Sequence, residues 1–426
     1  MSADKLEAKP GSDFDGLEWV WDGIWCLEPR WTVEPDEDVI KQTAASSLNL
    51  ATAPCDIEFL AQDAFNKVYV VTFPEKEKEV ITRVTLPVDP KWKTLSEVAT
   101  LQWIRDNTSL PVPEVISYQA DRRASAVGFE WILMSKMPGR SLGDRWKDVV
   151  LSAKEEIARR LAVFCSDTFR AQLRGIGNLF LDDGGSFSVQ RIVSSQFIWD
   201  GHIHAQVSRG PFQSSRDWLL ARLSWSIASH AAPEDKDEDD LEDHQHTMDI
   251  IPRLRRHLDD FFPPPGPGSE PERTMILHDD LSRQNTLVDD HGNLTAVVDW
   301  ECISALPLWY ACQLPPLLQG KPHDEEPVKA QYELDEDGNV VELFWEHLED
   351  YQRTQLRRVF LAEMERLQPE RVEVFDSSQR QRDFDIAVSS CSDSFLISRI
   401  RNWLDDVERG VEGYEGLEER IDHASL

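Results

Sequence analysis

The chain has 426 residues, 41% of them hydrophobic and 29% charged, a composition that supports one large or two ordinary packed domains and excludes global disorder. Its 45 basic residues stand against 78 acidic ones, and the formal net charge of −33 opposes nucleic acid and anionic membrane surfaces as partners. A nucleotide remains compatible with that field if metal ions and a few local cations meet its phosphates.

Residues 1–50 place Trp19, Trp21, Trp25 and Trp31 among polar neighbours, the pattern of an extension laying aromatic anchors on a larger body. Residues 51–137 read as a β-rich unit: β-branched and aromatic runs at 57–61, 67–73, 80–86 and 129–137 are bounded by turn residues. After the third run, Leu95, Val98, Leu101 and Trp103 or Ile104 recur at helical spacing. Thr94 with Glu97 has the form of a capping box, and Pro111 and Pro113 end the helix. From Pro138-Gly139 onward, residues 138–426 turn helical, with the 3.6-residue period at 153–170, 216–229 and 341–367. In the last of these, Leu356, Val359, Phe360, Met364 and Leu367 form one apolar stripe. The acidic run 234–243 and the Pro- and Gly-rich stretch 262–272 read as solvated loops. No window of eighteen apolar residues occurs, the N-terminus lacks a signal-peptide pattern, and the six cysteines are scattered without a CxxC. A cytoplasmic protein with reduced thiols, monomeric or weakly dimeric, is the expectation.

The chemistry concentrates in 274–299. His278-Asp279-Asp280-Leu281-Ser282-Arg283-Gln284-Asn285 contains H-x-D-x-x-x-x-N, the spacing of a phosphoryl-transfer loop. There an Asp receives or orients the substrate hydroxyl, and an Asn offers Mg2+ a neutral oxygen. Asp280 and His278 are therefore the catalytic candidates. The following residues read as a hairpin with Gly292 in its loop. Closed symmetrically about Gly292, it sets Asn285 opposite Asp299, a pair of oxygen donors suited to Mg2+.

Upstream, Gln62-Asp63-Ala64-Phe65-Asn66-Lys67 joins two strands where a phosphate loop would sit, but without glycine. It is either a phosphate contact through Asn66 and backbone amides or an ordinary hairpin turn. Arg83 on the third strand can meet nucleotide phosphates with Glu97 holding it, or it is a surface arginine beside a capping glutamate. The strand ending Met134-Ser135-Lys136-Met137 can read an adenine edge through its backbone with methionines against the ring, or be a core strand. His202-Ile-His204 and His244-Gln-His246 lack an obvious third metal ligand.

Leu277-His278-Asp279-Asp280-Leu281 through Asn285, followed by Val298-Asp299-Trp300-Glu301, resembles the aminoglycoside phosphotransferase-like branch of the protein-kinase-like fold, and within it a fungal phosphotransferase-family subgroup. Ala64-Phe65-Asn66-Lys67-Val68, Leu110-Pro-Val-Pro-Glu-Val115, Arg209-Gly-Pro-Phe212 and Leu306-Pro-Leu-Trp309 extend the likeness over roughly 55–320. The resemblance implies an α+β bilobal fold with a small antiparallel β-rich N-lobe and a large helical C-lobe. It further implies ATP and Mg2+ as cofactors, Asp280 as base, Asn285 and Asp299 as Mg2+ ligands, and Met134 to Met137, Lys136 included, as the adenine hinge; Phe65, Asn66, Arg83 and Glu97 complete the candidate nucleotide-binding residues. Two departures stand out: Arg83 occupies the place of the strand lysine, and the phosphate loop has no glycines. Trp-Glu after Asp299, Ser282, and about 140 residues between hinge and loop distinguish the chain from protein kinases. A small-molecule kinase acting on a hydroxyl acceptor is expected; a degenerate kinase fold that binds nucleotide or a partner without transfer is the alternative.

Overall fold

The computed structural model describes residues 15–21, 27–199, 201–229, 238–411 and 413–423. A hairpin of β1 (Leu17–Trp21) and β2 (Leu27–Trp31) leads into α1 (Glu37–Ser47), whose N-terminus is capped by the Asp36 carboxylate accepting from the Asp38 and Val39 amides at 2.9 and 3.2 Å. Leu17, Ile40, Ala44 and Ala45 are buried in one cluster with Tyr69 of the following sheet and with Phe65 and Phe129 just ahead of two of its strands. Of the expected tryptophan anchors, Trp31 packs on Phe129 at 5.0 Å and Trp19 lies edge-on to His204 at 5.1 Å. Trp21 is instead 60% exposed, and Trp25 lies outside the described residues.

The Val-, Ile- and Phe-rich runs form β3 (Asp56–Gln62), β4 (Asn66–Phe73), β5 (Lys78–Thr85), β6 (Val115–Gln119) and β7 (Glu130–Ser135), an antiparallel sheet in the order β3-β4-β5-β7-β6. Helix α2 (Trp92–Asn107) is inserted between β5 and β6. Its expected Thr94–Glu97 capping box is not used. The cap is Lys91 at φ +70°, whose amide donates to Glu130 Oε1 at 2.7 Å, while the Thr94 hydroxyl donates to Glu130 Oε2 at 2.5 Å. A strand carboxylate thus satisfies the helix start from across the sheet, and Glu97 is left for another partner.

The remainder runs β8 (Arg140–Ser141), α3 (Leu142–Arg145), α4 (Leu151–Arg170), β9 (Leu173–Arg174), β10 (Gly177–Leu181), β11 (Phe187–Val189), α5 (Ser215–Ser229), α6 (Glu238–Phe261), β12 (Arg273–Leu277), β13 (Thr286–Val288), β14 (Leu294–Val297), β15 (Ser304–Pro307), α7 (Leu308–Ala311), α8 (Glu342–Leu367), α9 (Pro369–Ser377), α10 (Gln379–Ser389), α11 (Ile397–Arg409) and α12 (Leu417–His423). Leu356, Phe360 and Met364 of the expected α8 stripe are fully buried with Ile157 and Leu161 of α4; Val359 and Leu367 lie half-buried at its margin. The acidic run is not loop throughout: residues 238–243 open α6, and residues 234–237 lie outside the described residues. His202 stacks on Trp225 at 4.5 Å, so it and His204 serve packing.

The two lobes are joined by packing as well as by the chain at Pro138-Gly139. Phe180, Val193, Ile198 and Ile203 share a core with Val71, Phe73, Val84 and Leu133 of the sheet. Asn178, fully buried, donates to Ser96 of α2 and to the Val193 and Ile303 carbonyls at 2.8–2.9 Å. Helix α2 therefore rests on the large lobe as well as on its own sheet.

Candidate active site

Strand pairing assembles the site. β12 pairs antiparallel with β15, Leu277 opposite Ser304, and β13 pairs with β14. Residues 278–285 leave β12 and residues 298–303 enter β15, so the two connections lie side by side. Asn285 Nδ2 donates to the Asp280 carboxylate at 2.8 Å and to its carbonyl at 3.0 Å, which orients Asp280 and leaves Asn285 Oδ1 free of that bond. The hairpin register differs by one from the symmetric expectation. Thr286 faces Val297, the Val298 amide donates to the Asn285 carbonyl at 2.9 Å, and a bulge follows Leu287. The cause is the tight loop: Asp289 accepts from the His291 and Asn293 amides, closing the turn one residue earlier than a centre at Gly292. Gly292 itself has φ +82°, and a Cβ there would lie 2.7 Å from Val149. Asp299 thus comes one residue past the ladder, at φ +63°, a left-handed conformation that a non-glycine residue adopts only when its surroundings impose it.

Those surroundings are a dense charge cluster. Arg83, 6% exposed, is in ion-pair contact with Glu97, 2% exposed, and its guanidinium is 3.6 Å from both Asp299 and Glu301. The surface-arginine reading is therefore excluded. Lys93 on α2 bonds Glu301 and, at 3.2 Å, Asn66 Oδ1. Asn66 is fully buried: its amide donates to Glu301 at 2.7 Å and to Asp63 at 3.0 Å, and the Thr85 hydroxyl donates to its oxygen at 2.9 Å. Burial and the neighbouring Glu301 push the Asp299 carboxyl up to about 7, against the pull of Arg83. Burial also lifts Glu301, but Lys93 and Arg83 outweigh it and hold this carboxyl at about 2.

Several expected site residues are placed differently. His278, expected as a catalytic group beside Asp280, is 2% exposed. Its Nε2–H donates to the Val298 carbonyl at 3.1 Å, its ring meets Trp300 edge-on at 4.7 Å, and burial lowers its pKa to about 4. A neutral, enclosed imidazole tethers the two connections. In the loop between β3 and β4, the Phe65 and Asn66 amides both donate to Asp63 Oδ1 at 2.7 Å, so the backbone groups expected to meet a phosphate are already satisfied. Phe65 is buried and packs on Trp199 at 5.0 Å. Met134 is buried with Val98 and Ile132, Met137 is half-buried, and the Lys136 ammonium is bound at 2.6 Å to Glu79 on β5. Met134 lies at the end of β7, and Lys136 and Met137 follow directly after it. Lys93, Glu301 and Asp63 belong to the cluster and were not singled out from the sequence. Lys93 precedes Glu97 by one helical turn and Glu301 follows Asp299 by two residues, which is the signal that could have found them.

The donor set suits a magnesium ion shared with phosphates. Among the described residues no three or more His, Cys, Asp or Glu side chains cage a metal by themselves, whereas Mg2+ commonly takes one or two carboxylates and completes its shell with water and phosphate oxygens. The left-handed Asp299, its side chain 38% exposed, follows Val298, whose amide bonds the Asn285 carbonyl, and offers one such carboxylate.

A small antiparallel lobe over a helical lobe, a strand-to-helix cation–carboxylate pair, and an Asp–Asn loop followed by an acidic turn at the junction define a kinase-like α+β fold. The chain belongs to the phosphotransferase enzyme family, whose model matches residues 56–310. A subtelomeric hrmA-associated cluster protein of Aspergillus fumigatus is 31% identical over 172 residues, 38% of this chain and 33% of that protein. Clavilactone A biosynthesis cluster protein Y of Ampulloclitocybe clavipes is 28% identical over 240 residues, 54% of each. The chain thus spans from a third to about half the length of these curated relatives. Among solved structures, an aminoglycoside phosphotransferase in ternary complex with AMP-PNP and hygromycin B is 14% identical with a TM-score of 0.42, covering 88% of this chain and 99% of its own. An ethanolamine kinase of Plasmodium vivax is 11% identical with a TM-score of 0.44, covering 92% and 88%. No helix among the described residues is long and apolar enough to cross a membrane.

Proposed function

We propose that this protein is an ATP- and Mg2+-dependent phosphotransferase that phosphorylates a hydroxyl of a small polar metabolite. The observation that carries the reading is the Asn285–Asp280 bond at 2.8 Å beside the left-handed Asp299. In this reading Asp280, oriented by Asn285, accepts the proton of the attacking hydroxyl through its other carboxylate oxygen. Asn285 Oδ1 and Asp299 hold the metal, which when bound neutralises charge on the transferring phosphoryl group. Arg83, fixed by Glu97, supplies a cation for the nucleotide phosphates, and the backbone near Met134–Met137 receives the base. The net charge of −33 favours a neutral or cationic acceptor over a polyanion. The name of the Ampulloclitocybe clavipes relative, which refers to a biosynthesis cluster, accords with a metabolite acceptor.

One observation favours the alternative, a protein that binds nucleotide without transfer: Asp63 occupies the loop amides and places a carboxylate where phosphates would lie. Incubation with γ-labelled ATP, Mg2+ and fractionated cell metabolites separates the two. Label in a metabolite fraction, lost with Asp280→Ala, supports phosphoryl transfer; Mg–ATP binding with no label transferred to any fraction supports the binder.

A further inference from the structure

Lys93 stands in the first turn of α2 with its side chain 1% exposed, yet it contacts two segments far apart in the chain. Its ammonium bonds Glu301 in the turn that carries Asp299 and Asn66 at the start of β4, and it lies 5.5 Å from the Phe65 ring. Glu301 accepts a second bond from Asn66 Nδ2 at 2.7 Å. One turn along the same helix face, Glu97 holds Arg83 of β5. Helix α2 therefore receives a cation from the sheet and sends one to the metal-facing turn. That turn is an unusual piece of backbone: Asp299 and Cys302 both have positive φ, +63° and +58°, and neither is glycine. Such conformations persist only where neighbouring contacts over-determine them; between these two residues, Trp300 is held in the core with its indole N–H donating to the Val297 carbonyl at 2.9 Å, and Glu301 is held by Lys93 and Asn66.

We propose that Lys93 is a positioning residue for the Asp299 turn, anchoring Glu301 so that the Asp299 carboxylate is presented to the metal; this rests on the phosphotransferase reading. The ammonium is too enclosed to reach a ligand, so its effect passes through Glu301. Without it, Glu301 keeps only Arg83 at 3.6 Å, which Glu97 already engages, and an amide. A carboxylate stranded in a buried site moves toward water or metal and carries the turn with it.

The test is calorimetric titration of ATP, with Mg2+ and with EDTA, into the parent, K93M, E301Q and the double variant. K93M is expected to lose about tenfold or more in Mg–ATP affinity and less than about twofold in metal-free affinity, because the turn presents a metal ligand. The double variant is expected to recover to within about threefold of the parent, since no carboxylate is stranded. Equal losses in both arms, parent-like binding by K93M, or a double variant no better than K93M would each overturn the proposal. Should K93M fail to fold, E301Q decides alone, with a loss confined to the Mg2+ arm supporting the anchor and a loss in both or neither arm refuting it. A parent that shows no Mg2+-dependent binding removes the phosphotransferase reading and the anchor with it. A parent that binds Mg–ATP beside an indifferent K93M removes the anchor alone.

Discussion

Glu130 joins sheet and helix through one buried carboxylate, and its ionisation should be visible in the stability of the whole protein. Burial is the main force lifting its pKa from 4.5 to about 7; the Thr94 hydroxyl, the Lys91 amide and the nearby Lys93 pull the other way without cancelling it. The folded state thus holds the Glu130 proton more tightly than the unfolded chain does. Stability from this residue is fully present below pH 4.5 and is lost as pH rises toward 7 and just beyond. At roughly 1.4 kcal/mol per pH unit, that interval corresponds to about 3 kcal/mol. Glu130→Gln keeps an acceptor for the Lys91 amide and an amide partner for Thr94, but it cannot ionise. Urea unfolding of both proteins at pH 5, 6, 7 and 8 isolates the difference, because titrations elsewhere cancel. The variant should gain roughly 2–3 kcal/mol relative to the parent between pH 5 and pH 8, part of the full effect having been lost already at pH 5. A difference that stays constant across that range would show that Glu130 is ionised throughout and that the capping carboxylate is better solvated than its burial implies.

Asp280→Ala should lower phosphoryl transfer by about 10²–10⁴ with nucleotide affinity nearly unchanged, since the carboxylate acts on the acceptor; comparable rates in single-turnover assays would remove it from that role. Arg83→Met strands buried Glu97 and should cost about 3–5 kcal/mol, while Arg83→Lys keeps a cation on the strand and most of that stability. Thermal melts of the two variants that coincide with the parent would contradict the buried pairing. His278→Phe should lose about 1–3 kcal/mol by leaving the Val298 carbonyl unbonded, without altering the shape of the pH–rate profile; a displaced acid limb would restore His278 as a proton-transfer group.

The β-lobe was legible because its strands are β-branched runs closed by turn residues, and all four runs singled out became strands of one sheet. The long helices followed from periodicity in the same way, with α8 keeping its stripe. What stayed hidden depends on residues far apart in the chain. Thr94 and Glu97 carry a local capping signature, but Glu130, 36 residues beyond Thr94, took the threonine and Arg83 took the glutamate. Lys93 and Glu301 are 208 residues apart and meet only because α2 and the Asp299 turn face one another. The hairpin was legible to within one residue, and the bulge that moved its register comes from Asp289 side-chain bonds that pattern alone does not weigh. His278 shows the converse: a residue inside a chemical motif whose buried position gives it a tethering part.

The apolar residues that 178–204 lends to the β-lobe have a bearing on how this molecule comes apart. With Phe180, Val193, Ile198 and Ile203 completing the core beneath Val71, Phe73 and Leu133, the β-lobe does not own a closed interior. Cutting the chain at the hinge would leave the sheet with an uncovered greasy underside, a surface prone to self-association. The two halves should accordingly melt as one cooperative unit, with a single transition in calorimetry and in fluorescence of the tryptophans distributed across both. Amides of β4 and β10 would then exchange with solvent through the same global opening.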